Sequence, residues 1–326
     1  IMSEQIIKNI KPTKQIFFGF SWYGQVPRWM NALGLEVKKK LKGQGKVRYV
    51  VSRDKVLSSV VVQKNHLLPP TGYDFVFMPQ VNKIAVGITL SVQPFAEFSN
   101  RDFGRPARDS YVGMLPPKLA RIMINLGLAA VETHSKAALH DVTILDPFCG
   151  SGTVLTEAIS MGFTRVFGSD ISDKAISDTK QNIDWLKEKY LLSPISYNLF
   201  QTNVLNLATK IQPSTVNLIV TEPHLGKPLK GRELREFLVQ QARELAELYL
   251  NAFHVFYRLL KPGGTVVMVF PKFQYKNEWI RVEILEKIKR IGFEVVEYER
   301  KLATGPLTYH RPTQHLAREI WQFKKV

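Results

Sequence analysis

The chain has 326 residues, 45 of them basic and 28 acidic, which gives a formal net charge of +17. Its hydrophobic fraction of 45% excludes a mainly disordered chain, and no apolar run approaches the roughly 18 residues of a membrane span, so no membrane partner is expected. A single cysteine excludes an internal disulfide framework and a multi-cysteine metal site, and the expected compartment is a reducing cytoplasm.

The positive charge is concentrated at the front of the chain. Residues 1–120 hold 18 basic and 7 acidic side chains, whereas residues 121–326 hold 27 and 21. This asymmetry predicts a polyanionic partner, most often a nucleic acid, with a merely solubilising charge as the alternative. The predicted basic patch, which a solvated helix face would also explain, consists of Lys38, Lys39, Lys40, Lys42 and Lys46.

Residues 1–95 predict a small α+β domain. Apolar and β-branched stretches indicate strands at 15–20, 46–51 and 84–90, and the spacing of apolar residues indicates a helix at 26–41. The stretch 57–68 fits either a helix or a strand, because a buried run of valines is compatible with both.

Residues 96–117 alternate charged side chains with glycine and proline, which indicates a linker. Pro116 and Pro117 then open a helix predicted at 118–128, because proline is well tolerated in the first helical turn. The predicted organisation is a domain at 1–95, a linker with its following helix at 96–125, and a second domain at 126–326.

From residue 142 onward, predicted strands alternate with predicted helices. The strands are expected at 143–147, 165–169, 197–201, 216–221, 264–270, 293–298 and 319–324, and the helices at 153–161, 174–190, 233–260 and 278–291. Repeated βα units predict a doubly wound, mostly parallel sheet, and the last two strands can form an antiparallel hairpin because no helix separates them. Ligands of such sheets bind beyond the carboxyl ends of the strands.

The strongest chemical motif lies at 144–153, where a predicted strand leads into a predicted helix. Gly150 and Gly152 let the backbone bend and a ligand approach the free N–H groups of the helix start. The spacing is neither that of a dinucleotide-binding Gly-x-Gly-x-x-Gly loop, which disfavours an NAD-dependent oxidoreductase, nor that of a Walker loop. A strand that ends in Asp146-Pro-Phe148-Cys-Gly-Ser-Gly resembles the S-adenosylmethionine-dependent methyltransferases of the amino-group type.

Further candidate ligand contacts follow the next two predicted strands. Asp170 can accept both ribose hydroxyls of a nucleoside, or it can cap the next helix, and Ile171 beside it can pack on an adenine. Asn203 can bond the edge of the adenine. The predicted cofactor-binding residues are therefore Asp146, Phe148, Gly150, Gly152, Asp170, Ile171 and Asn203.

The fourth strand of the predicted sheet ends in Thr-Glu-Pro-His-Leu-Gly at 221–226. An exocyclic amine is a poor nucleophile because its lone pair is delocalised into the ring, so its chemistry needs acceptors for its hydrogens and a ring that stacks on the base. Glu222 and the backbone carbonyl of Pro223 can be those acceptors, and His224 can stack. The alternative is a surface loop that merely ends a strand.

The one cysteine and the seven histidines carry no predicted chemistry. Cys149 lies inside the glycine loop without a neighbouring histidine, and we interpret it as a small packing residue. The histidines show no metal-ligand spacing with acidic residues, so no metal is predicted.

Together these residues resemble the THUMP-containing tRNA guanosine N2-methyltransferases, which modify guanosine at position ten. The resemblance covers the cofactor loops at 146–153 and 168–170, and the linker with its following helix at 95–109 and 113–120. The stretches 17–24 and 58–68 look like the second half of a THUMP RNA-binding domain, and 309–311 and 315–321 resemble the closing hairpin of the family. It implies a Rossmann-like methyltransferase sheet, doubly wound and mostly parallel with a terminal antiparallel hairpin, after a smaller α+β THUMP-like domain. The implied cofactor is S-adenosylmethionine, and the implied partner is tRNA.

The resemblance has further implications for the linker and the front of the chain. Arg101, Arg105 and Arg108 would bind tRNA phosphates or the carboxylate of the cofactor's methionine part, with ion pairs to Asp102 and Asp109 as the alternative. The family carries more sequence before this half of THUMP, so we expect a partial domain whose RNA binding a protein partner completes. The family usually has Asp-Pro-Pro-Tyr-Gly where this chain has Thr-Glu-Pro-His-Leu-Gly.

The sequence therefore predicts an S-adenosylmethionine-dependent RNA methyltransferase that acts on the N2 amine of a guanosine in tRNA. Two other interpretations stay open. A DNA amino-methyltransferase would share the glycine loop, and a comparison of duplex DNA with tRNA as substrate would separate the two. A non-catalytic RNA-binding homologue with a degenerate active site would explain the altered loop at 221–226.

Overall fold

The computed structural model describes residues 2–11, 14–108, 114–131, 141–190, 195–297 and 305–326. The chain divides into two compact units, Ile1–Ser99 and Asn100–Val326. Most of the segment that the sequence analysis separates as a linker with its helix, 96–125, thus belongs to the second unit. Asp109, His134 and His140 lie outside the described residues.

The first unit is an α+β sandwich around a four-stranded sheet. Its elements are α1 (Met2–Lys8), β1 (Gln15–Trp22), α2 (Met30–Leu41), β2 (Lys46–Val50), α3 (Ser59–Lys64), β3 (Gly72–Pro79) and β4 (Ile84–Ile88). The strand order is β2-β1-β3-β4, with β1 parallel to both neighbours and β4 antiparallel to β3. Alternate residues of β1 pack on opposite faces, Phe18 against α1 and α2, and Phe17 against the cluster that contains α3.

Two stretches of this unit differ from simple sequence patterns. The ambiguous 57–68 contains the short helix α3, because the hydroxyl of Ser58 accepts the N–H of Val61 as an N-cap. Strand β3 was not predicted, because Asp74 interrupts its apolar run. That carboxylate is buried and accepts hydrogen bonds from Ser21 Oγ at 2.9 Å and Thr89 Oγ1 at 2.7 Å, which offset the cost of burying it.

The predicted linker is partly helical, which corrects the prediction for 96–117. Helix α4 (Phe95–Phe103) occupies its first half, and its last turn carries Arg101, whose buried guanidinium is held by a carboxylate of the second unit's core. Such a long-range ion pair is invisible in the local pattern of charges and glycines. Helix α5 (Pro117–Ala130) begins at the second proline, as predicted.

The second unit is built on a sheet that has nine strands among the described residues. After α5 its elements are β5 (Thr143–Asp146), α6 (Thr153–Ser160), β6 (Arg165–Asp170), α7 (Asp173–Tyr190), β7 (Ser196–Gln201), β8 (Val216–Thr221), α8 (Arg235–Leu259), β9 (Leu260–Tyr275), β10 (Glu278–Arg281), α9 (Leu285–Ile291), β11 (Phe293–Val295), β12 (Leu307–His310) and β13 (Leu316–Lys325). The main order is β11-β13-β9-β8-β5-β6-β7. Strands β5 to β9 run parallel, and β10 to β13 pair antiparallel.

Helices cover both faces of this sheet, as a doubly wound fold requires. Ile144 packs in the cluster that contains α5, α6 and α7, and its neighbour Leu145 packs on the opposite face with α8. No helix in the described part of the chain is long and apolar enough to cross a membrane.

The strand order reverses at β5, and this reversal positions the site. The chain moves from β5 outward to β6 and β7, then returns to the other side of β5 as β8. The loops after β5 and β8 therefore diverge, which leaves a crevice at the carboxyl ends of these strands, the usual ligand position in such sheets.

The end of the chain needs one further correction. The predicted helix at 278–291 is strand β10 followed by the shorter helix α9. β9 is 16 residues long and folds back on itself as β10 through Lys276, whose φ is 50°, so tertiary pairing overrides the helical spacing. The antiparallel closing hairpin is present, with β12 as an additional strand beside β13.

Candidate active site

A cavity of about 610 Å³ opens at the carboxyl ends of the parallel strands, within the size range of small-molecule sites. The predicted site residues that line it are Asp146, Phe148, Gly150, Asp170, Ile171, Asn203, Glu222, Pro223 and His224. Gly152 lies behind the wall, where it precedes α6. The fold thus brings together residues that are up to 78 positions apart, from the loops after four strands.

The glycine loop after β5 is held in one conformation by its two glycines and by a side chain of α7. Gly150 and Gly152 have φ values of 52° and 81°, which favour glycine. A Cβ on Gly152 would lie 2.8 Å from the side chain of Thr179. Thr179 in turn donates a hydrogen bond from Oγ1 to the carbonyl of Gly150 at 2.7 Å. The loop is therefore shaped before any ligand arrives.

Asp146 is the most perturbed acid in the cavity wall. Its Oδ1 accepts hydrogen bonds from Thr221 Oγ1 at 2.7 Å and from Phe148 N at 3.2 Å, which ties the ends of β5 and β8 together. Burial raises the pKa of Asp146 to about 7, with the charges of Asp170 and Glu222 acting in the same direction. A cation in the cavity would favour its ionised form.

Asp170 connects the loop after β6 with the glycine loop. Its Oδ2 accepts the N–H of Gly150 at 3.0 Å, and its Oδ1 accepts the N–H of Ser172 at 2.9 Å. The alternative role as a helix cap is filled by Ser172, whose Oγ accepts the N–H of Ala175 at the start of α7. Each carboxylate oxygen of Asp170 keeps capacity for a further donor.

The adenine side of the predicted cofactor site is formed by Ile171 and Asn203. Ile171 is 69% exposed at the cavity wall, so its apolar side chain is accessible to a ligand. The Oδ1 of Asn203 accepts the N–H of Leu205 and caps a short 3₁₀ helix at 204–209. The Nδ2 group of this amide can donate to a ligand, and Oδ1 keeps one lone pair for a further donor.

Glu222 is held by an arginine that sequence analysis missed. Arg318 on β13 donates from Nε to Oε2 of Glu222 at 2.7 Å and from Nη2 to Oε1 at 3.3 Å, and both side chains line the cavity. The two side chains are 10% and 12% exposed, so the pair is mostly desolvated. Arg318 stands beside Glu319 in a strand that carries several other polar side chains, so the local sequence does not identify its partner.

The rest of the 221–226 loop is fixed by helix α8. The phenol of Tyr249, which is fully buried, donates to the carbonyl of His224 at 2.6 Å. Gln241 accepts the N–H of Lys227 at 2.7 Å through Oε1. Burial raises the pKa of Tyr249, so its hydroxyl stays a donor at physiological pH. The imidazole of His224 is exposed, whereas Pro223 is buried.

Cys149 and the described histidines supply no further chemistry. Cys149 is buried, and burial raises the pKa of its thiol, which keeps it protonated and unreactive. Within the described ranges, no cluster of histidine, cysteine and acidic side chains has the geometry of a metal site.

The structure corrects the role predicted for two linker arginines. Arg101 is 4% exposed and donates from Nε to Oε1 of Glu157 at 2.6 Å, while Arg121 contacts Oε2 of the same carboxylate. Arg105 is equally buried. The prediction that they bind RNA phosphates is wrong, because neither guanidinium is accessible to a nucleic acid. Arg108 is exposed, stacks over the ring of Phe103 at 5.0 Å, and stays a predicted RNA contact.

The basic patch of the first unit is accessible. Lys39, Lys42 and Lys46 are exposed, and Lys38 is half-buried. Lys40 pairs with Glu36 at 3.0 Å and donates to Ser3 Oγ, so part of its charge is used internally. The predicted contact of this patch with a phosphate backbone stays a prediction.

Comparison with known proteins identifies relatives of this chain. The family described as Conserved hypothetical protein 95 matches residues 129–241. The tRNA (guanine(10)-N2)-dimethyltransferase of Methanothermobacter thermautotrophicus is 35% identical over 143 residues, which cover 42% of this chain and 37% of that protein. The tRNA (guanine(10)-N2)-dimethyltransferase of Pyrococcus abyssi is 26% identical over 279 residues, which cover 81% of this chain and 71% of that protein.

Two further likenesses agree with these matches. The U6 snRNA (guanine-N(2))-methyltransferase THUMPD2 of Bos taurus is 26% identical over 158 residues, 46% of this chain and 27% of that protein. The crystal structure of TrmN from Thermus thermophilus superposes over 100% of this chain and 77% of that one, with a TM-score of 0.53 and 17% identity. The predicted resemblance and the Rossmann-like fold are confirmed.

Proposed function

We propose that this chain is an S-adenosylmethionine-dependent RNA methyltransferase that acts on the N2 amine of a guanine, with tRNA as the first substrate to test. One observation carries the proposal. A carboxylate followed by a proline carbonyl, Glu222 and Pro223, lines the same cavity as a glycine loop and an acid that suit a nucleoside cofactor. The names of the relatives, which include position ten of tRNA, support the choice of guanine N2.

The residues of the cavity fit S-adenosylmethionine, which when bound supplies an electrophilic methyl group. Asp170 has the free acceptor capacity that two ribose hydroxyls need, and Ile171 offers an exposed apolar surface to the adenine. Nδ2 of Asn203 can donate to a ring nitrogen. Asp146, Phe148 and the glycine loop would hold the methionine end, where the acidic wall favours the positive charges of the ammonium and sulfonium groups.

Glu222 and Pro223 would orient the amine of the base. Glu222 and the carbonyl of Pro223 accept hydrogen bonds from the two amine hydrogens, which draws the nitrogen toward tetrahedral geometry and frees its lone pair for attack. The exposed ring of His224 stacks on the base. Arg318 would keep the Glu222 carboxylate in one place, because a two-point fork fixes both of its oxygens. The base leaves its stack to reach this pocket.

We propose that tRNA binds, in the cytoplasm, to the basic patch of the first unit. Replacing Lys39 and Lys42 with alanine is expected to weaken tRNA binding and to make the slope of log K against log salt shallower by about 1–2, because each lost phosphate contact releases about one counterion fewer. The measurement is a salt titration of tRNA affinity. An unchanged slope would remove the patch from the RNA interface.

A non-catalytic RNA-binding protein is the second candidate, and the Glu222–Arg318 pair favours it. Both carboxylate oxygens already accept a hydrogen bond from the guanidinium, which leaves each only part of its accepting capacity for an amine. This candidate predicts tight tRNA binding by the unaltered chain without methyl transfer.

The test is transfer from labelled S-adenosylmethionine to unmodified tRNA, with the product nucleosides identified by mass spectrometry and duplex DNA as the comparison substrate. N2-methylguanosine from tRNA alone supports the proposal. Methylated DNA would move the protein to the DNA amino-methyltransferases. Binding of tRNA without any methylated nucleoside would support the non-catalytic candidate. Addition of a cell extract to an inactive sample tests whether a protein partner completes the RNA site.

A further inference from the structure

The sheet of the second unit extends beyond its parallel strands on the side of Glu222. β9 pairs with β8 as far as Met268 and then continues to Tyr275. This overhang pairs with β10 on one side and with the start of β13 on the other, and β12 lies along the far edge of β13. We call this four-stranded antiparallel extension, residues 269–281 and 307–320, the distal lobe. Apart from Arg318, none of its residues has a role in the proposed chemistry.

The distal lobe is continuous with the acceptor side of the cavity. Arg318 of β13 lines the cavity and holds Glu222. Tyr309 on β12 is the register partner of Arg318, so its side chain lies on the same face of the lobe. The loop that follows the acceptor residues also reaches the lobe, because a Cβ on Gly231 would lie 2.4 Å from the ring of His315. A polynucleotide whose target base enters the cavity would therefore meet the lobe with its neighbouring nucleotides.

The two acidic residues of the distal lobe are paired inside the protein. Glu319 is 4% exposed and pairs with Lys272 at 3.2 Å and with Arg281 at 3.0 Å. Glu278 pairs with Arg235 at the start of α8 at 2.8 Å. All residues of the lobe belong to the described part of the chain, and the lobe presents no unpaired carboxylate that would repel a polyanion.

Two exposed cations of the lobe have no such ion pair among the described residues. They are Lys276, in the turn between β9 and β10, and Arg311, just after β12. The ammonium of Lys276 lies 5.3 Å from the ring centre of Tyr275. The guanidinium of Arg311 lies 5.9 Å from the ring centre of Tyr309, whose hydroxyl accepts its Nε at 2.9 Å. The loop beside the lobe adds three exposed cations, Lys227, Lys230 and Arg232.

Cations that lie over aromatic rings are typical of a surface for single-stranded nucleic acid. A half-buried ring can stack on any base, and a cation beside it can bind the phosphate of the same nucleotide. The target base leaves its stack to enter the cavity, so the nucleotides next to it lose a stacking partner. A protein partner would instead need an exposed apolar patch, and none of the large exposed apolar side chains in the described chain belongs to the lobe.

We propose that the distal lobe, together with residues 227–232, binds the RNA strand next to the target guanosine. Lys276 and Arg311 bind phosphates, and the rings of Tyr275 and Tyr309 stack on bases. The inference rests on the proposed function and deepens it, because it gives the second unit an RNA contact of its own, separate from the basic patch of the first unit.

The test measures the affinity of the full chain for an unmodified tRNA transcript over a range of salt concentrations, without turnover. The double variant Lys276→Ser with Arg311→Ser should weaken binding by about 5–20-fold at low salt. It should also make the slope of log K against log salt shallower by about 1.4, because two phosphate contacts to a single strand are lost. The matched control, Lys287→Ser with Arg290→Ser, removes the same charge from exposed positions of α9 and should change neither value appreciably.

The two rings are tested by Tyr275→Leu and Tyr309→Leu, which keep an apolar side chain at half-buried positions. Each is expected to weaken tRNA binding by roughly 5–100-fold, the usual range for a lost base stack, with an unchanged salt slope, because stacking releases no counterion. All variants should bind S-adenosylhomocysteine as the unaltered chain does, which shows that the second unit is folded.

A measurement on the unaltered chain covers the case of a variant that does not fold. Photo-crosslinking of tRNA that contains 4-thiouridine, followed by mass spectrometry of the peptides, should find crosslinks within 269–281 or 307–320. Crosslinks confined to the first unit would overturn the inference.

Other results separate this inference from the proposed function. Unchanged tRNA affinity in the lobe variants, or an equal loss in the α9 control, would overturn the RNA contact of the lobe, and N2-methylation of tRNA would still support the proposed function. Binding of tRNA that depends on the lobe, without any methyl transfer, would support the inference and overturn the proposed activity. No binding of tRNA by the unaltered chain would overturn the inference outright.

Discussion

The two sides of the cavity are stabilised by different kinds of contact. On the cofactor side, the backbone N–H groups of Gly150 and Cys149 donate to Asp170 Oδ2 at 3.0 Å and to Ser169 O at 2.9 Å, and Thr179 of α7 donates to the carbonyl of Gly150. On the acceptor side, the loop at 221–226 is held by side chains from α8 and by Arg318, which is 96 positions from Glu222.

The two loops therefore differ in the amino-acid substitutions that they tolerate. The glycine loop depends on a short local motif, because the positive φ values of Gly150 and Gly152 favour glycine at both positions, and its nearest support is Thr179 of α7. A loop that is held by distant side chains can carry a longer acidic residue, provided that another element supplies a basic residue that pairs with it. The glutamate at position 222, one methylene longer than the acid usual in the resembled family, has such a partner in Arg318.

The largest expected effect is on the acceptor side. Glu222→Ala is expected to lower kcat for tRNA methylation by about 10²–10³-fold, because the amine loses an acceptor that acts in the transition state, and to leave cofactor affinity unchanged. Steady-state kinetics with calorimetry checks both halves. Glu236→Ala, at an exposed acid of α8, serves as the control. Equal turnover by the Glu222 variant would refute the acceptor role.

The second prediction tests the free-energy cost of burying the carboxyl group of Asp146. The buried carboxyl of Asp146 keeps its proton up to a pKa of about 7, whereas the unfolded chain releases it near pH 4, so this group destabilises the fold progressively as pH rises from 4 to 7. Asp146→Asn should therefore raise the unfolding free energy by about 2–3 kcal/mol at pH 8 and by little at pH 4.5.

Thermal unfolding at the two pH values, without ligand, measures that effect. Asp141→Asn replaces an exposed aspartate just before β5 and should change stability little at either pH. A stabilisation by Asp146→Asn that is the same at both pH values would assign it to packing rather than to the titration of this carboxyl.

The third prediction concerns the ribose contact. Asp170→Ala is expected to weaken cofactor binding by about 1–3 kcal/mol, because it removes charge-assisted hydrogen bonds to the ribose and the tie to Gly150 N. Calorimetry with S-adenosylhomocysteine measures it, and Asp54→Ala, at an exposed acid of the first unit, is the comparison. Unchanged cofactor affinity would remove Asp170 from the site.

The smallest effect is expected for the residue that acts through another. Arg318→Met should lower kcat by about 5–30-fold with unchanged cofactor affinity, and Arg318→Lys should recover part of it, because a lysine keeps the charge but not the fork. In a double-mutant cycle, adding Arg318→Met to Glu222→Ala should cost nothing further. Additive losses would instead indicate an independent contact of Arg318 with the base.

Much of the second unit follows from periodicity and spacing. The alternation of strands and helices after residue 142, the glycine loop, and the acids at the ends of β5 and β6 are local patterns, because strand period, turn chemistry and loop glycines act over a few residues. These patterns predicted the fold and the cofactor wall, including Asp146 and Asp170. They also predicted α5, whose first turn contains Pro117.

Such local patterns do not predict contacts between segments that are far apart in the sequence. Strand β3 accommodates Asp74 because the hydroxyls of Ser21 on β1 and of Thr89 just after β4 donate to it. Strand β10 replaces a predicted helix because it pairs with the long strand β9. Arg101 and Arg105 are buried, whereas the local sequence, which is rich in charged residues, predicts exposed side chains at both positions. Desolvation and partner choice arise only when the chain is folded, and these two effects paired Arg318 with Glu222 and placed Arg105 against Thr153 and Met114.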